Sequence, residues 1–362
     1  MLSWRLRRQH LAARAPVSAW LDVVSDIAGL HAQLMASAEL TLWARVDGLA
    51  RSAVSDALWE ERSLVKTWAM RGTLHLLPAA ELPVWVAAQS MLKPRHHVGS
   101  WLRHWGLTRA DADAMLDAIP AALGDAWLTR EELAAAVARE TGVAGLDDKL
   151  RGGFGDLLKP AAFRGDLAFA PSDGRSVRFV RPAAWLGSLE AVDPEEAARV
   201  VARRYLRAYG PATREAFARW FGSPSPAQSG RWLRLLGDEL AETPLGLMLA
   251  DDVDDASSAE PEGVVRLLPA FDHYVVAAPR DVEAVLAAEH RARVYRPQGW
   301  LSPVLLVDGV MAGVWSPELS GDRLAVSIEP FSAMGSEVAA AAEAEAARLA
   351  EFLGGEPDVT WQ

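Results

Sequence analysis

The sequence predicts an α+β protein with three tandem winged helix-turn-helix units, followed by a small antiparallel β-barrel and a C-terminal helix. Two observations carry this prediction. A succession of helices and two strand-like segments occurs three times before the acidic stretch at 251–262, and after it the apolar pattern changes to the two-residue period of strands. We expect winged-helix units at 1–110, 111–192 and 193–255, and the barrel with the terminal helix at 263–362.

The first unit begins with the amphipathic segment "LSWRLRRQHLAARA" and continues through "SAVSDALWEER" to "LVKTWAMRGTLHLLP". In the last of these segments, "VKTWAM" and "TLHLL" flank a turn at Arg71 and Gly72. Alternating apolar residues on both sides of a glycine turn are typical of a hairpin. The first unit is therefore predicted to consist of helices followed by a hairpin.

The second and third units repeat this order. In "LTREELAAAVARETG", Thr129 precedes a helix with Glu131 and Glu132 in its first turn, which predicts an N-cap, and "LAFAPSDGRSVRFV" then predicts a hairpin. The third unit has "PEEAARVVARRYLRAYG", "TREAFARWFG", "SPAQSGRWLRLLGDEL" and the strand-like "GLMLAD". Two helices joined by a turn and followed by a hairpin are the arrangement of a winged helix-turn-helix.

The last part of the chain follows the acidic segment "DDVDDASSAEPEG", which we interpret as a linker. The apolar strands "VVRLLPAFDHYVVA", "ARVYRPQGWLSPVLLVDGVMAGVWSPEL" and "RLAVSIEPF" are interrupted by Asp-Gly and Ser-Gly-Asp turns. This pattern predicts a small antiparallel barrel or sandwich. The tail "EVAAAAEAEAARLAEFLG" is typical of a helix.

The composition excludes several classes of protein. The 362 residues are 51% hydrophobic and include no cysteine, so disulfides, thiolate nucleophiles and cysteine-bound zinc are not available. No apolar run approaches the roughly 20 residues of a membrane span, and the basic N-terminus lacks the apolar region of a secretion signal. The chain holds His96, His97 and His104 without a regular ligand spacing, so we expect surface histidines and no metal or other cofactor. The expected protein is a cytoplasmic monomer.

The net charge of −11 argues against a polyanionic partner, but the charges are segregated. The first helix carries Arg5, and the stretch 199–234 carries eight arginines against a single glutamate, among them Arg203, Arg204, Arg207 and Arg214. A basic face on an acidic protein is the pattern of a nucleic-acid surface. The alternative interpretation is that these arginines lie on solvated helix faces.

The segment "GLHAQ" at 29–33 places His31 and Gln33 two positions apart in an otherwise apolar region. On a helix, residues at i and i+2 diverge by roughly 200°, so they share no face. Near a helix end or in a turn, the same two side chains can converge on one point. The local structure at His31 therefore decides whether the pair forms a site.

The segments "GLHAQ", "LVKTWAMRGTLHLLP", "LLPAFDHYVV" and "YRPQGWLSPVLLVDGVMAGVW", in this order, give the chain its resemblance to a known family. It resembles the winged-helix DNA glycosylases of the AlkZ and YcaQ type over nearly its whole length. The resemblance implies hydrolysis of the N-glycosidic bond of alkylated purines, including bulky and cross-linking adducts, in double-stranded DNA. It places the family's catalytic motif, Gln-x-Gln or Gln-x-Asp, at His31 and Gln33. Gln33 matches the second glutamine of Gln-x-Gln, whereas His31 departs from both forms of the motif.

The chemistry tolerates this departure. An alkylated purine that is already cationic leaves without protonation, so the enzyme has to stabilise an oxocarbenium-like sugar and position a water molecule. A neutral imidazole at His31 can accept a proton from that water, and the Gln33 amide can orient it. The alternative interpretation is that His31 is a partly buried histidine at a helix end, bonded to a backbone carbonyl.

Further DNA contacts are predicted outside this motif. Arg71, Thr73 and His75 alternate along one predicted strand and would point to one side, where they could contact phosphates or form a solvated wing. Trp300 lies between Gly299 and a strand start, so a hairpin there would present it to DNA, whereas most other tryptophans are expected in the core.

Two functions are compatible with these features of the sequence. The first is a monofunctional DNA glycosylase, because the matched motif offers no lysine for a Schiff base. The alternative is a non-catalytic winged-helix protein or transcriptional regulator, which would usually bind palindromic half-sites as a dimer.

Overall fold

The computed structural model describes residues 1–222, 225–260, 263–280 and 282–362. Pro261 and Glu262, at the end of the predicted acidic linker, lie outside the described residues. The chain forms two compact units. We call Ser55–Val201 the inserted unit, and Met1–Val54 together with Ala202–Gln362 the terminal unit. The predicted first winged-helix unit, residues 1–110, is divided between them.

The described residues form helices and strands throughout both units. The α-helices are α1 (Leu2–Arg8), α2 (Trp20–Asp26), α3 (Met35–Trp43), α4 (Ala53–Trp59), α5 (Leu82–Ser90), α6 (Gly99–Trp105), α7 (Arg109–Leu123), α8 (Arg130–Thr141), α9 (Leu146–Arg151), α10 (Lys159–Phe163), α11 (Pro182–Leu186), α12 (Pro194–Tyr209), α13 (Arg214–Phe221), α14 (Pro226–Arg234), α15 (Val253–Ser258), α16 (His273–Ala277), α17 (Arg291–Val294) and α18 (Ser336–Leu353).

The strands are short except near the C-terminus. They are β1 (Ala15–Pro16), β2 (Leu30–His31), β3 (Val46–Asp47), β4 (Leu64–Trp68), β5 (Leu74–Pro78), β6 (Leu128–Thr129), β7 (Ala168–Asp173), β8 (Ser176–Val180), β9 (Leu240–Thr243), β10 (Gly246–Leu249), β11 (Val265–Leu268), β12 (Val304–Val307), β13 (Val310–Ser320), β14 (Arg323–Pro330) and β15 (Glu356–Trp361). Short 3₁₀ turns include Met70–Gly72, Arg95–His97 and Pro297–Gly299. Within the described ranges, no helix has the length and apolar content to cross a membrane.

The inserted unit holds the predicted hairpin β4–β5 and a three-stranded sheet in the order β6-β8-β7. The Thr129 hydroxyl accepts a hydrogen bond from the Glu132 backbone N–H, and the Glu132 carboxylate accepts from the Thr129 N–H, so the predicted N-cap of α8 is confirmed as a full capping box. The core of the inserted unit brings Trp68 together with side chains of α7, α8 and β8. Gly155, at φ +80°, allows this packing because a Cβ there would lie 2.6 Å from the Trp68 ring.

The helix–helix–hairpin succession occurs in two places with the same strand pairing. In the inserted unit, α7 is followed by β6, then by α8 to α10 and the hairpin β7–β8, and β6 pairs with the second strand of that hairpin. Residues 194–249 repeat this order, with α12, a bridge from Ala212 to Leu247, then α13, α14 and the hairpin β9–β10. In both places, the short segment before the second helix pairs with the second strand of the hairpin.

The C-terminal sheet is open, so the predicted antiparallel barrel is wrong. Its five strands run in the order β11-β12-β13-β14-β15, and no ladder joins β11 to β15 in the described part of the chain. The last pair is parallel, because α18 carries the chain from the end of β14 to the start of β15. The apolar side of α18, including Ala342, Ala346 and Leu349, packs into the core that the strands contribute to. This helix covers the apolar face of the sheet, so the sheet stays open.

A buried ion pair anchors the terminal unit. Arg45, just after α3, donates from Nη1 to Asp272 Oδ2 at 2.7 Å and from Nη2 to Asp272 Oδ1 at 2.8 Å. Both side chains are fully buried. Asp272 Oδ1 also accepts from the Tyr274 backbone N–H at the start of α16. Buried charges are tolerated only when they are paired and hydrogen-bonded, and this pair has both.

We expect that removing one partner of this pair will strongly destabilise the protein. In Asp272→Asn, the Arg45 guanidinium keeps its charge without a carboxylate in a fully buried site, so the free energy of unfolding should fall by about 3–5 kcal/mol. Denaturant unfolding followed by tryptophan fluorescence measures this change. The control is Asp358→Asn, which removes the exposed partner of Arg323 and should cost no more than about 1 kcal/mol. Equal losses in both variants would contradict the anchoring role.

Candidate functional site

His31 lies in a short strand that follows a sharp turn. Helix α2 ends at Asp26, and Ala28 and Gly29 take φ angles of +62° and +93°, which reverse the chain into β2. Gln33 is exposed in the bend before α3. The segment "GLHAQ" is therefore not helical, and the divergence that a helix would impose on the two polar side chains does not apply.

Two contacts fix His31 from its backbone and from its ring. Its backbone N–H donates to Nε2 of His273 at 2.6 Å. Its imidazole stacks on the Phe271 ring, with 5.0 Å between the centroids and 13° between the planes. The residue is 5% exposed. His31 is therefore held in one orientation by two residues from a distant part of the chain.

The hydrogen-bond partners of His273 determine its tautomer. Nε2 accepts from the His31 N–H, so Nδ1 carries the proton and donates to the Tyr209 hydroxyl at 3.1 Å. The Tyr209 hydroxyl in turn donates to the carbonyl of Ile27 at 2.6 Å, in the turn before His31. His273 and Tyr209 are both buried. The network closes on the same turn that it supports.

Trp300 lies at an exposed hairpin tip, as its sequence context predicted. Residues 296–300 are all exposed, and the Arg296 N–H donates to the Trp300 carbonyl at 2.9 Å across the tip. Trp300 is 45% exposed, and its ring meets Phe271 edge-on, with 5.0 Å between centroids and 75° between planes. The rings of Trp300, Phe271 and His31 thus form a row that leads from the surface to the motif.

The predicted arginines of the 193–255 region differ in their availability. Arg207 and Arg214 are exposed, and Arg214 also pairs with Glu215 at 2.8 Å. Arg203 is half-buried and makes a bidentate pair with Glu239 at 2.6 and 2.7 Å, and Arg204 is half-buried. The most accessible positive charges of the predicted set are therefore those of Arg207 and Arg214.

Arg5 has a structural position. It is 8% exposed, and its guanidinium donates to the carbonyls of Gly210 and Pro211 at 2.9 and 2.8 Å. Burial lowers the pKa of the Arg5 guanidinium. The sequence predicted a DNA contact here because α1 is basic, but the first arginine of that helix bridges to the end of α12 within the terminal unit.

In the inserted unit, the structure contradicts the prediction that Arg71, Thr73 and His75 alternate along one strand and point to one side. Arg71 lies in the turn Met70–Gly72 at φ +58° and is half-exposed, Thr73 precedes β5, and its hydroxyl donates to the Met70 carbonyl at 3.1 Å. His75 is fully buried, and its Nδ1–H donates to the Thr73 carbonyl at 3.0 Å. The three side chains do not line one solvated strand, because the turn breaks the alternation before β5 begins.

The sequence predicted that His96, His97 and His104 are surface histidines without a nearby acid, and the structure corrects this for His96 and His97. His96 is buried, and Asp113 of α7 approaches both rings, with His97 Nε2 2.8 Å and His96 Nε2 3.8 Å from its Oδ1. Ligand atoms of His96, His97 and Asp113 lie within 4.8 Å of one another, as a metal site requires. However, Arg109 donates to Nδ1 of His97 at 3.3 Å, which leaves the proton on Nε2, the atom that faces Asp113. This arrangement suits a hydrogen-bond network around Asp113 better than a metal ion.

We expect this cluster to make stability depend on pH. Burial, followed by the neighbouring His97, lowers the pKa of His96 from its ordinary value of 6.5 to about 4. Between these values the unfolded chain binds more protons, so the free energy of unfolding should fall as the pH drops from about 6.5 to about 4 and then lose this dependence. Denaturant unfolding at several pH values should show a shallower fall for His96→Gln. The exposed His104→Gln serves as control and should match the unsubstituted protein.

Three residues that support His31 were not predicted from the sequence. Phe271 and His273 lie in "LLPAFDHYVV", a segment that contributed to the family resemblance without a role for either residue, and Tyr209 was missed as well. The sequence did contain a signal, because an Asp-His pair interrupts an apolar run and buried polar side chains need hydrogen-bond partners. The partners of that pair, however, depend on contacts between residues far apart in the chain.

Comparison with known proteins identifies the family. The model of the AlkZ-like DNA glycosylases matches residues 24–352. The chain is 36% identical over 366 residues to the interstrand DNA cross-link repair glycosylase of Streptomyces sahachiroi, with 98% of this chain and 96% of that protein covered. The solved structure of the Streptomyces sahachiroi DNA glycosylase AlkZ matches with a TM-score of 0.88 at 36% identity, covering 100% of this chain and 98% of that chain. The predicted family and enzyme class are thus confirmed, and the chain belongs to the AlkZ-like family of DNA glycosylases.

Proposed function

We propose that this DNA glycosylase removes alkylated purines, including bulky adducts, from duplex DNA with His31 and Gln33 as its catalytic residues. The observation that carries the proposal is the position of His31, held in a fixed orientation beside an exposed Gln33 and at the inner end of the ring row from Trp300. The relative's name, which specifies interstrand DNA cross-link repair, supports adducts that join two strands as further substrates.

The reaction replaces the glycosidic bond between the sugar C1′ and the purine nitrogen with a bond from C1′ to a water oxygen. The purine leaves with the bonding electrons, which neutralise its positive charge when it is N7- or N3-alkylated. His31, as a neutral imidazole, accepts the proton of the attacking water, and the Gln33 carboxamide orients that water beside the oxocarbenium-like sugar. The enzyme is monofunctional under this proposal, because the motif contains no amine to form a Schiff base.

The proposal assigns DNA contacts to exposed and half-buried residues. Arg207 on α12 and Arg214 on α13 offer accessible charges for phosphates, and the half-buried Arg203 and Arg204 lie one turn before Arg207. Trp300 offers an exposed ring on which a base can stack. In the inserted unit, Arg71 and Thr73 at the hairpin turn are the accessible members of their predicted row.

We also propose three tandem winged-helix units in one monomeric chain. The second and third regions share their strand pairing, and the first region has the same order along the chain, with α2, β2, α3, α4 and then the strands β4 and β5. Three such units in a single chain give a DNA-binding surface without a dimer, in contrast to the usual regulator.

The first test replaces the motif residues. His31→Ala should lose on the order of 10²–10⁴ in the rate of base release, because it removes the proton acceptor. His31→Gln restores the family's Gln-x-Gln motif and should keep much of the rate. Gln33→Ala should lower the rate more than the DNA affinity, since the phosphate contacts lie elsewhere. Single-turnover base release from a duplex with one N7-alkylguanine, with affinity measured in parallel, gives both quantities.

The 5% exposure of His31 also fits the alternative in which the residue is only structural. In that case His31→Ala would release base at the rate of the unsubstituted protein, or would lose thermal stability and activity together. Normal DNA binding with no base release from any alkylated purine duplex would overturn the proposed reaction.

The second test concerns phosphate contacts and the regulator alternative. Affinity for a duplex of arbitrary sequence should fall steeply between roughly 50 and 200 mM salt, because binding releases counterions from DNA. Arg207→Gln and Arg214→Gln should each reduce the slope of log affinity against log salt by about 1. Arg323→Gln, which removes an exposed arginine at the start of β14, serves as control. A sharp preference for one palindrome with little salt dependence would favour the regulator.

A further inference from the structure

We propose that Phe271 and His273, anchored by Asp272, are positioning residues that hold His31 in its reactive orientation. This inference rests on the proposed catalytic role of His31. His273 fixes the main chain of His31, and Phe271 fixes its ring. Neither contact is part of the bond-breaking step, so both residues act through His31.

The contact from His273 is selective for one protonation form. The His31 N–H is a donor, so it binds Nε2 only when that atom carries no hydrogen. The Tyr209 hydroxyl has already given its hydrogen to the Ile27 carbonyl and therefore accepts from Nδ1–H. Tyr209 thus selects the tautomer that His31 requires. The same hydroxyl ties this arrangement to the turn at Ala28 and Gly29.

Phe271 is held in an unfavourable backbone conformation. Its φ of +59° lies in the left-handed region, which a bulky aromatic residue rarely adopts. The next residue, Asp272, is fixed by the Arg45 guanidinium and caps α16. This anchor maintains the strained conformation, and the result is a Phe271 ring parallel to the imidazole of His31. Strain of this kind is typical where surrounding structure must place one side chain for function.

His273 is 1% exposed and its two ring nitrogens bond the His31 N–H and the Tyr209 hydroxyl, so it is placed to act on His31 and not on the substrate. Its loss should therefore change the rate of base release and leave the DNA affinity unchanged. A misplacement of a reacting group by about 1 Å can cost about 100-fold in rate. The turn before His31 supplies the freedom for such a shift once the His273 contact is gone.

Two amide substitutions separate the roles of the His273 ring nitrogens. The side chain of Gln reaches the position of Nε2 and can accept from the His31 N–H, whereas that of Asn reaches only the position of Nδ1 and can bond Tyr209. We expect His273→Gln to release base within about 10-fold of the unsubstituted protein and His273→Asn to lose about 100-fold, with the same DNA affinity in both. The control for loss of an imidazole is His290→Asn, because His290 lies in the same unit and stacks on Phe331.

A second readout does not depend on activity. Hydrogen exchange of the His31 amide, followed by NMR, should be slow in the unsubstituted protein and in His273→Gln, and faster in His273→Asn. Tyr209→Phe leaves His273 intact but removes the acceptor of Nδ1–H, so it should speed the same exchange and lower the rate of base release. This variant also provides the test if His273→Asn does not fold.

The outcomes are distinguishable. Equal rates of base release in the unsubstituted protein, His273→Gln and His273→Asn would overturn the positioning role, as would unchanged His31 exchange in His273→Asn and Tyr209→Phe. If the unsubstituted protein releases no base, the proposed function is overturned, and the exchange data alone decide whether His273 fixes the His31 backbone. A fall in DNA affinity that matches the fall in rate would assign His273 to binding instead of positioning.

Discussion

The buried ion pair between Arg45 and Asp272 is the interaction on which the terminal unit depends. It joins residues 227 positions apart and connects the N-terminal segment, which carries the motif, to the segment between strands β11 and β12 of the C-terminal sheet. Its charges require each other, because either one alone would be a fully buried charge without a partner. Asp272 therefore takes one position, and that position sets the start of α16. Phe271 and His273, on either side of it, are placed by the same constraint.

This arrangement explains how a motif on short, irregular backbone can be precise. His31 and Gln33 lie between two helices, in a strand of two residues and a bend. The backbone N–H and the ring of His31 are both held by side chains of the segment 271–273. Catalytic groups on turns generally need such support, since the rate of a positioned reaction depends on small distances. Gln33, in the bend that follows, is exposed.

The arginines serve two different purposes in this molecule. Arg5 and Arg45 are buried and bind carbonyls or a carboxylate, where a guanidinium with five N–H donors can satisfy several acceptors at once. Arg207 and Arg214 are exposed and keep their charge accessible. A count of arginines along the chain treats both kinds alike. The proposed DNA surface depends on the exposed arginines alone, so the negative net charge of the whole chain does not exclude it.

The sequence by itself determined the features that depend on neighbouring residues. Thr129 predicted the N-cap of α8, the turn residues predicted the hairpins around Arg71 and Gly174, and the ordered motifs identified the family. The barrel was wrong because alternation predicts strands but not whether their edges meet, and α18 makes the final pair parallel. The burial of Arg5 and His75 and the contact from His273 to His31 were decided by the tertiary structure alone. Each depends on which distant segments pack together, and local periodicity carries no information about that choice.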